Sequence, residues 1–179
     1  MSEAGSPLPG VEISVRSGRG FLNLRLGPRR GQALEAAERI LGQPVPAAAN
    51  TFTAGEHGIY WLGPDEWLIA TAAERVLSLG SELAEGLAGL HSAVNDVSGG
   101  HVELLVSGVA ARMVLAKGCT LDLHPREFAP GQCAQTGLGR AAILLAAGDA
   151  STCTIVVRRS FSDYVRRWLA NAARPQGAA

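Results

Sequence analysis

No single sign of charge dominates this 179-residue chain: 16 basic side chains stand against 16 acidic ones. Nucleic acid and anionic membrane surfaces are recognised first through a positive surplus, so neither is expected as a partner. Long apolar runs are missing too, since the longest, such as 141–147, fall far short of the roughly 20 residues a membrane-spanning helix requires. The first ten residues carry Glu3 and two prolines and offer no apolar core of a signal peptide, so the expected location is cytoplasmic. Cysteine is sparse. Cys119, Cys133 and Cys153 form neither a CxxC pair nor an even set, which fits free thiols in a reducing compartment. Cys119 follows Lys117 closely, and a cation lowers a thiol's pKa. A reactive thiol there stands beside the alternative of a small core residue.

Catalytic signatures are absent in the same way. Despite 22 glycines, no GxGxxG follows a strand and opens a helix, and no GxxxxGK[ST] offers a phosphate loop. Val97-Ser98-Gly99-Gly100 is not the GxSxG of a nucleophile elbow, and Ser98 reads as part of a turn between two strands. His57, His91, His101 and His124 are too widely spaced for HExxH or a two-ligand helix face. No catalytic, cofactor-binding or metal-binding residue is assigned in this chain.

What is present is a foldable pattern. Apolar residues make up 47% of the chain, and a chain of this size buries about 70% of its unfolded surface. Leu22, Leu24 and Leu26 alternate with Asn23 and Arg25, as in a half-buried strand. Ala33, Leu34, Ala37, Ile40 and Leu41 form a helical stripe that Gly42 and Pro44 stop. A Pro- and Ala-rich crossing at 43–54 leads to a hairpin, strands 59–62 and 67–70 around the turn Gly63-Pro64-Asp65-Glu66. Thr71 and Glu74 have the form of a capping box, opening a helix with the stripe Val76, Leu77, Gly80, Leu83, Leu87 and Leu90.

The pattern then begins again. Val102, Leu104 and Val106 alternate, a helix is predicted over 109–117, and strands over about 133–138, 142–146 and 152–157. Ser160 and Asp163 repeat the cap, and Phe161, Tyr164, Val165, Trp168 and Leu169 give the last helix its core face. Arg158, Arg159, Arg166 and Arg167 are left for its outer side or margins. The expected class is α+β: two β-α-β-β-α units over 20–91 and 92–173, with helices packed on antiparallel sheets. A flexible tail and first extended segment (1–19) precede them and a short tail (174–179) follows.

The stretch 111–136 carries the chain's most specific composition. Lys117 suits the negative end of a helix dipole, and Gly118 can take the left-handed conformation that closes a helix. The loop beyond, 119–135, sets Asp122, His124, Arg126 and Glu127 among Leu121, Leu123, Phe128 and two prolines. Loops of that length are functional or mobile. Asp122 could orient the imidazole of His124, against the alternative of a satisfied structural histidine. Trp61 and Trp67 flank the hairpin turn and suit either the core or a partner contact.

Six segments carry a family resemblance: WLGPDEWL at 61–68, DVS at 96–98, LAKGC at 115–119, LDLHPR at 121–126, GQCAQT at 131–136 and RSFSDY at 159–164. In order and spacing they resemble the gamma subunits of heterotetrameric sarcosine oxidase, over about residues 20–173. One departure is Gly99-Gly100, where a bulkier polar pair is expected after Asp96-Val97-Ser98. The resemblance implies an aminomethyltransferase (T-protein)-like, folate-binding-like fold. It implies an oxidoreductase complex of sarcosine catabolism and one-carbon metabolism, which demethylates sarcosine to glycine with tetrahydrofolate as one-carbon acceptor and yields peroxide. FAD, FMN, NAD, tetrahydrofolate and zinc are then expected in the other subunits, and none in this chain. The implied role is that of an accessory subunit without its own active site, partnered by the alpha, beta and delta subunits, with alpha as main contact. The candidate interface residues are Trp61, Trp67, Lys117, Asp122, His124, Arg126 and Gln135. The alternative is a module that binds folate or another small ligand in a cleft between its two units.

Overall fold

The computed structural model describes residues 10–28 and 30–174, so 1–9 and 175–179 of the expected terminal segments lie outside the described residues. The elements run β1 (Glu12–Val15), β2 (Arg19–Leu26), α1 (Gly31–Leu41), β3 (Phe52–Ala54), β4 (Gly58–Gly63), β5 (Glu66–Ala72), α2 (Val76–Gly86) and β6 (Ser92–Asp96), then β7 (His101–Ser107), α3 (Ala111–Ala116), β8 (Cys133–Leu138), β9 (Ala141–Ala147), β10 (Thr152–Arg158) and α4 (Ser162–Ala172). Short 3-10 turns at Ala73–Arg75, Ser98–Gly100 and Arg159–Phe161 precede α2, β7 and α4. The class is α+β, as expected.

The first of two compact units comprises 17–101 and 131–134. Its sheet has the order β3-β4-β5-β2-β6, with all pairs antiparallel. Alternation places Leu22, Leu24 and Leu26 of β2 beside Trp67 and Ile69 of β5 and Ile59 of β4, where Ala33, Ala37 and Leu41 of α1 and Leu79 and Leu83 of α2 bury them. The outward residues of β2 find polar partners: Asn23 donates to Glu66 Oε1 (2.9 Å), and Arg25 pairs with Glu66 (3.4 Å). Gly42 closes α1 in the left-handed conformation (φ 65°), which glycine adopts without a Cβ clash.

The second unit comprises, of the described residues, 10–16, 102–130 and 135–174. Its sheet has the order β1-β7-β10-β9-β8, with β1 antiparallel to β7 and β9 antiparallel to β10. Leu104, Val106, Leu145, Ile155, Val114, Leu115, Val165 and Leu169 are all fully buried. β2 and β7, the strands that lead into α1 and α3, each lie fourth from the edge strand that follows that helix, so the two sheets share one plan. The fifth strand differs in origin: β6 follows α2 in the chain, whereas β1 precedes everything else. β1 is held to β7 by its ladder and by Arg16, which reaches the buried Glu103 carboxylate at 3.0 Å.

Several expectations need correction. The contact boundary is not 91/92, because Val94 and Asp96 of β6 pair with Leu24 and Leu22 of the first sheet. Thr71 does not cap α2, and no side chain caps α4. Thr71 is buried in β5, with its hydroxyl 3.0 Å from His57 Nδ1, and Ser162, not Ser160, bonds back to Arg159 O (2.8 Å). Leu77 is 79% exposed, one position off the buried line of Val76, Leu79 and Leu83. α3 is shorter than 109–117 and ends without a left-handed Gly118. Gly118 is required for another reason: a Cβ there would lie 2.3 Å from the Trp168 indole.

Candidate partner-binding site

The connection from α3 to β8, 117–132, begins with bonds that end the helix: Gly118 N and Cys119 N both donate to Leu115 O. Lys117 Nζ donates to Ala172 O at 2.5 Å, the carbonyl end of α4, where a cation is favoured. Further on, Asp122 Oδ1 accepts the backbone N–H of His124 (2.8 Å), and His124 O accepts from both Glu127 N and Phe128 N (2.9 Å each). The backbone is thereby fixed as two consecutive turns. Leu123 and Phe128 point inward and are each 5% exposed. Asp122, His124, Arg126 and Glu127 are exposed.

The Asp122–His124 relation differs from the expected one. The carboxylate holds the main chain of His124 and not its ring, while Nδ1 accepts the N–H of Arg126 at 3.3 Å. That bond requires a bare Nδ1, so the neutral imidazole carries its proton on Nε2.

Arg112, on α3, was not singled out by sequence, and it organises the loop. Its Nη1 donates to Leu123 O (2.9 Å) and Phe128 O (2.8 Å), Nε to Ala150 O (3.2 Å) and Nη2 to Asp149 O (3.4 Å). One guanidinium thus joins the loop to the β9–β10 turn through backbone carbonyls. Such partners have no residue-type signature, so spacing along the chain could not reveal them.

The other candidates have different surroundings. Trp67 is 1% exposed and donates its indole N–H to Pro46 O (2.8 Å), so it is a core residue and not a partner contact. Its register partner Trp61 is only partly buried. Gln135 is exposed on β8. Cys133 is fully buried, and burial pushes its thiol up to about 11; burial raises Cys153 as well, so neither is a thiolate near neutrality. Cys119 lies half-buried, 3.9 Å from Thr136 Oγ1, while the Lys117 ammonium is engaged at α4. Ser98 is a structural residue of the β6–β7 turn, accepting Phe21 N–H at 2.9 Å.

Among the described residues no group of three or more His, Cys, Asp or Glu converges as for a metal ion, and no helix is long and apolar enough to cross a membrane. A cavity of about 420 Å³ opens in the first unit beside the start of α1, between Gly27, Arg30, Gln32 and His91. None of the candidate residues lines it.

A family model described as the sarcosine oxidase, gamma subunit family, matches residues 30–175. The chain belongs to that family. It is 34% identical over 159 residues to the sarcosine oxidase subunit gamma of Corynebacterium sp. (strain U-96), covering 88% of this chain and 77% of that relative. A chain in the heterotetrameric sarcosine oxidase of Corynebacterium sp. U-96, solved with pyrrole 2-carboxylate, superposes with a TM-score of 0.85 at 30% identity, over 93% of this chain and 87% of that one. The glycine cleavage system aminomethyltransferase T of Bartonella henselae shares the fold, with a TM-score of 0.66 at 14% identity, over 91% of this chain and 46% of that one. Family and fold therefore agree with what the six sequence segments imply.

Proposed function

We propose that this chain is the accessory gamma subunit of a heterotetrameric sarcosine oxidase and works by docking on the large alpha subunit. The observation that carries the reading is its likeness, at 30% identity and a TM-score of 0.85, to a chain of the Corynebacterium heterotetramer. In this reading the alpha, beta and delta subunits hold FAD, FMN, NAD, tetrahydrofolate and zinc. The complex demethylates sarcosine oxidatively to glycine in the cytoplasm, with tetrahydrofolate taking the one-carbon unit and peroxide formed. This chain contributes shape and stability to its partner and no reacting group.

The 117–132 loop supports the docking part of the reading. Its backbone is fixed before any partner arrives, by the two turns on Asp122 and His124 and by Arg112, so little conformational entropy is lost on binding. Asp122, His124 and Arg126 form the exposed tip, with Lys117, Gln135 and Trp61 as further contacts. Co-expression with the other three subunits tests this. The wild-type chain co-purifies with them, and joint replacement of Asp122, His124 and Arg126 by Ala weakens association by roughly 10- to 100-fold. Unchanged association of that variant would remove the loop from the interface, and a wild-type chain that never joins the complex would remove the whole reading.

A further inference from the structure

The large apolar side chains exposed among the described residues are unevenly shared. Val109 (91%), Met113 (55%), Phe161 (44%) and Val15 (44%) belong to the second unit, and Leu77 alone to the first. Charge is uneven in the same direction. The second unit's sequence holds ten basic against seven acidic residues, and the first unit's six against nine.

Within the second unit these features meet on two adjacent helices. The Ala111 N–H to Gly108 O and Val114 N–H to Ala110 O bonds extend the turn of α3 back to Val109. Val109, Met113, Ala116 and Lys117, spaced by three and four, therefore share one outward stripe, apolar but for its end. α4 lies beside α3: Lys117 bonds to Ala172 O, and the Trp168 indole closes over Gly118. On α4 and the turn before it, Arg159, Asp163, Arg166 and Arg167 recur at helical spacing and are all exposed, and Arg174 is exposed just beyond the helix. Asp163 is the one carboxylate in that row, and it pairs with Arg167 at 3.0 Å.

We infer that the outer side of the α3–α4 pair is a docking surface for an acidic segment of another oxidase subunit, carrying an apolar anchor for Val109 and Met113 and carboxylates for the arginine row. The inference rests on the docking reading above and adds a surface to it. Arg112 connects the two regions, since the guanidinium that shapes the 117–132 loop rises from α3 itself. Arginine is favoured at interfaces because its planar fork binds carboxylates through two parallel bonds, and an apolar centre rimmed by charge is the usual interface layout. A short acidic protein segment suits this surface better than a nucleic acid or an anionic membrane. The whole chain has no net charge to attract an extended polyanion.

The experiment measures binding of the full chain, immobilised, to the co-purified remaining subunits at several ionic strengths. Two double variants are compared with wild type: Val109→Gln with Met113→Gln, and Arg159→Glu with Arg166→Glu. Each pair is expected to weaken association at least tenfold, and the charge reversal to flatten its salt dependence. The helical circular dichroism signal should be unchanged, because these side chains are exposed. If both variants bind as the wild type does, the inference falls and the docking reading stands. If the wild type binds nothing, both fall together. Binding of wild type to phosphatidylserine vesicles or duplex DNA, lost in the arginine variant while subunit association is intact, would also overturn the inference and assign the row to a polyanion.

Discussion

The α1–β3 connection of the first unit and the α3–β8 connection of the second occupy the same place in the repeat, yet different donors hold their carbonyls. On the first, 42–51, the donors are neutral: Trp67 donates to Pro46 O, and Gln43 donates to His57 O (2.9 Å) and accepts from His57 N (3.1 Å), while the Glu38 carboxylate accepts Val45 N–H (3.0 Å). Val45 is 3% exposed and seals it to the core. The longer second connection, 117–132, is tied by a charged group, Arg112, and turns its own charged side chains outward. Both answer one requirement, that carbonyls drawn away from a sheet still need donors. A neutral donor from the core pins a loop flat, whereas a guanidinium at the margin supports one that stands out from the surface. The second solution leaves a fixed, polar tip of the kind a partner can grip.

The largest expected effect breaks the neutral solution. Trp67→Ala removes a fully buried indole and the donor to Pro46 O, and should cost about 3–5 kcal/mol of stability. Trp67→Phe keeps most of the bulk and loses only the donor, so it should cost much less. Denaturant midpoints of the two variants separate packing from hydrogen bonding. Equal losses would show that the Pro46 bond, and not the core, dominates.

Next in size is the charged solution. Arg112→Met keeps the aliphatic length but leaves Leu123 O and Phe128 O without their guanidinium, at a cost of about 1–3 kcal/mol. The damage should be local. Hydrogen exchange at the amides of Glu127 and Phe128 should accelerate more than exchange in β2 and β5, whose ladder involves no part of this loop. Uniform acceleration throughout both units would contradict the separation drawn here.

Much of this was legible beforehand, for identifiable reasons. Leu22, Leu24 and Leu26 and the stripe of α1 were readable because strand and helix periods are local properties of the chain. The hairpin was readable because Gly63-Pro64-Asp65-Glu66 punctuates two apolar runs, and the repeat because the alternation at Val102, Leu104 and Val106 starts over. What failed depended on partners distant in sequence. Thr71 has the right spacing for a cap, but a buried imidazole competed for its hydroxyl. Gly118 reads as a conformational glycine, whereas Trp168, far along the chain, needs its space. Arg112 was invisible because its four acceptors are carbonyls of whichever residues the fold brings near. The Asp122–His124 pair stands out in the sequence, but a residue pattern does not say whether a carboxylate will meet a ring or a main-chain N–H.

The smallest expected effect sharpens the comparison through pH. His57 is 2% exposed, and burial holds its imidazole below the usual value of 6.5; of the nearby charges, Glu56 and Glu82 raise it while Arg75 and Arg19 lower it. The folded state therefore binds fewer protons than the unfolded state once the pH drops below about 6.5. The sign follows: the contribution of His57 is fully present above that pH, declines as pH falls towards the folded value, and then levels off. Asp96, held low chiefly by its hydrogen bonds to Ser98, also stabilises above its unfolded value of 3.8 and loses that contribution only below it. A window from pH 7.5 to 5.0 thus keeps the His57 contribution and leaves out that of Asp96. His57→Asn can offer Thr71 either a donor or an acceptor without titrating, so its urea midpoint should change less across the window than that of wild type. If the two midpoints decline in parallel, the acid sensitivity lies elsewhere, and the neutral side of the comparison loses its titratable member.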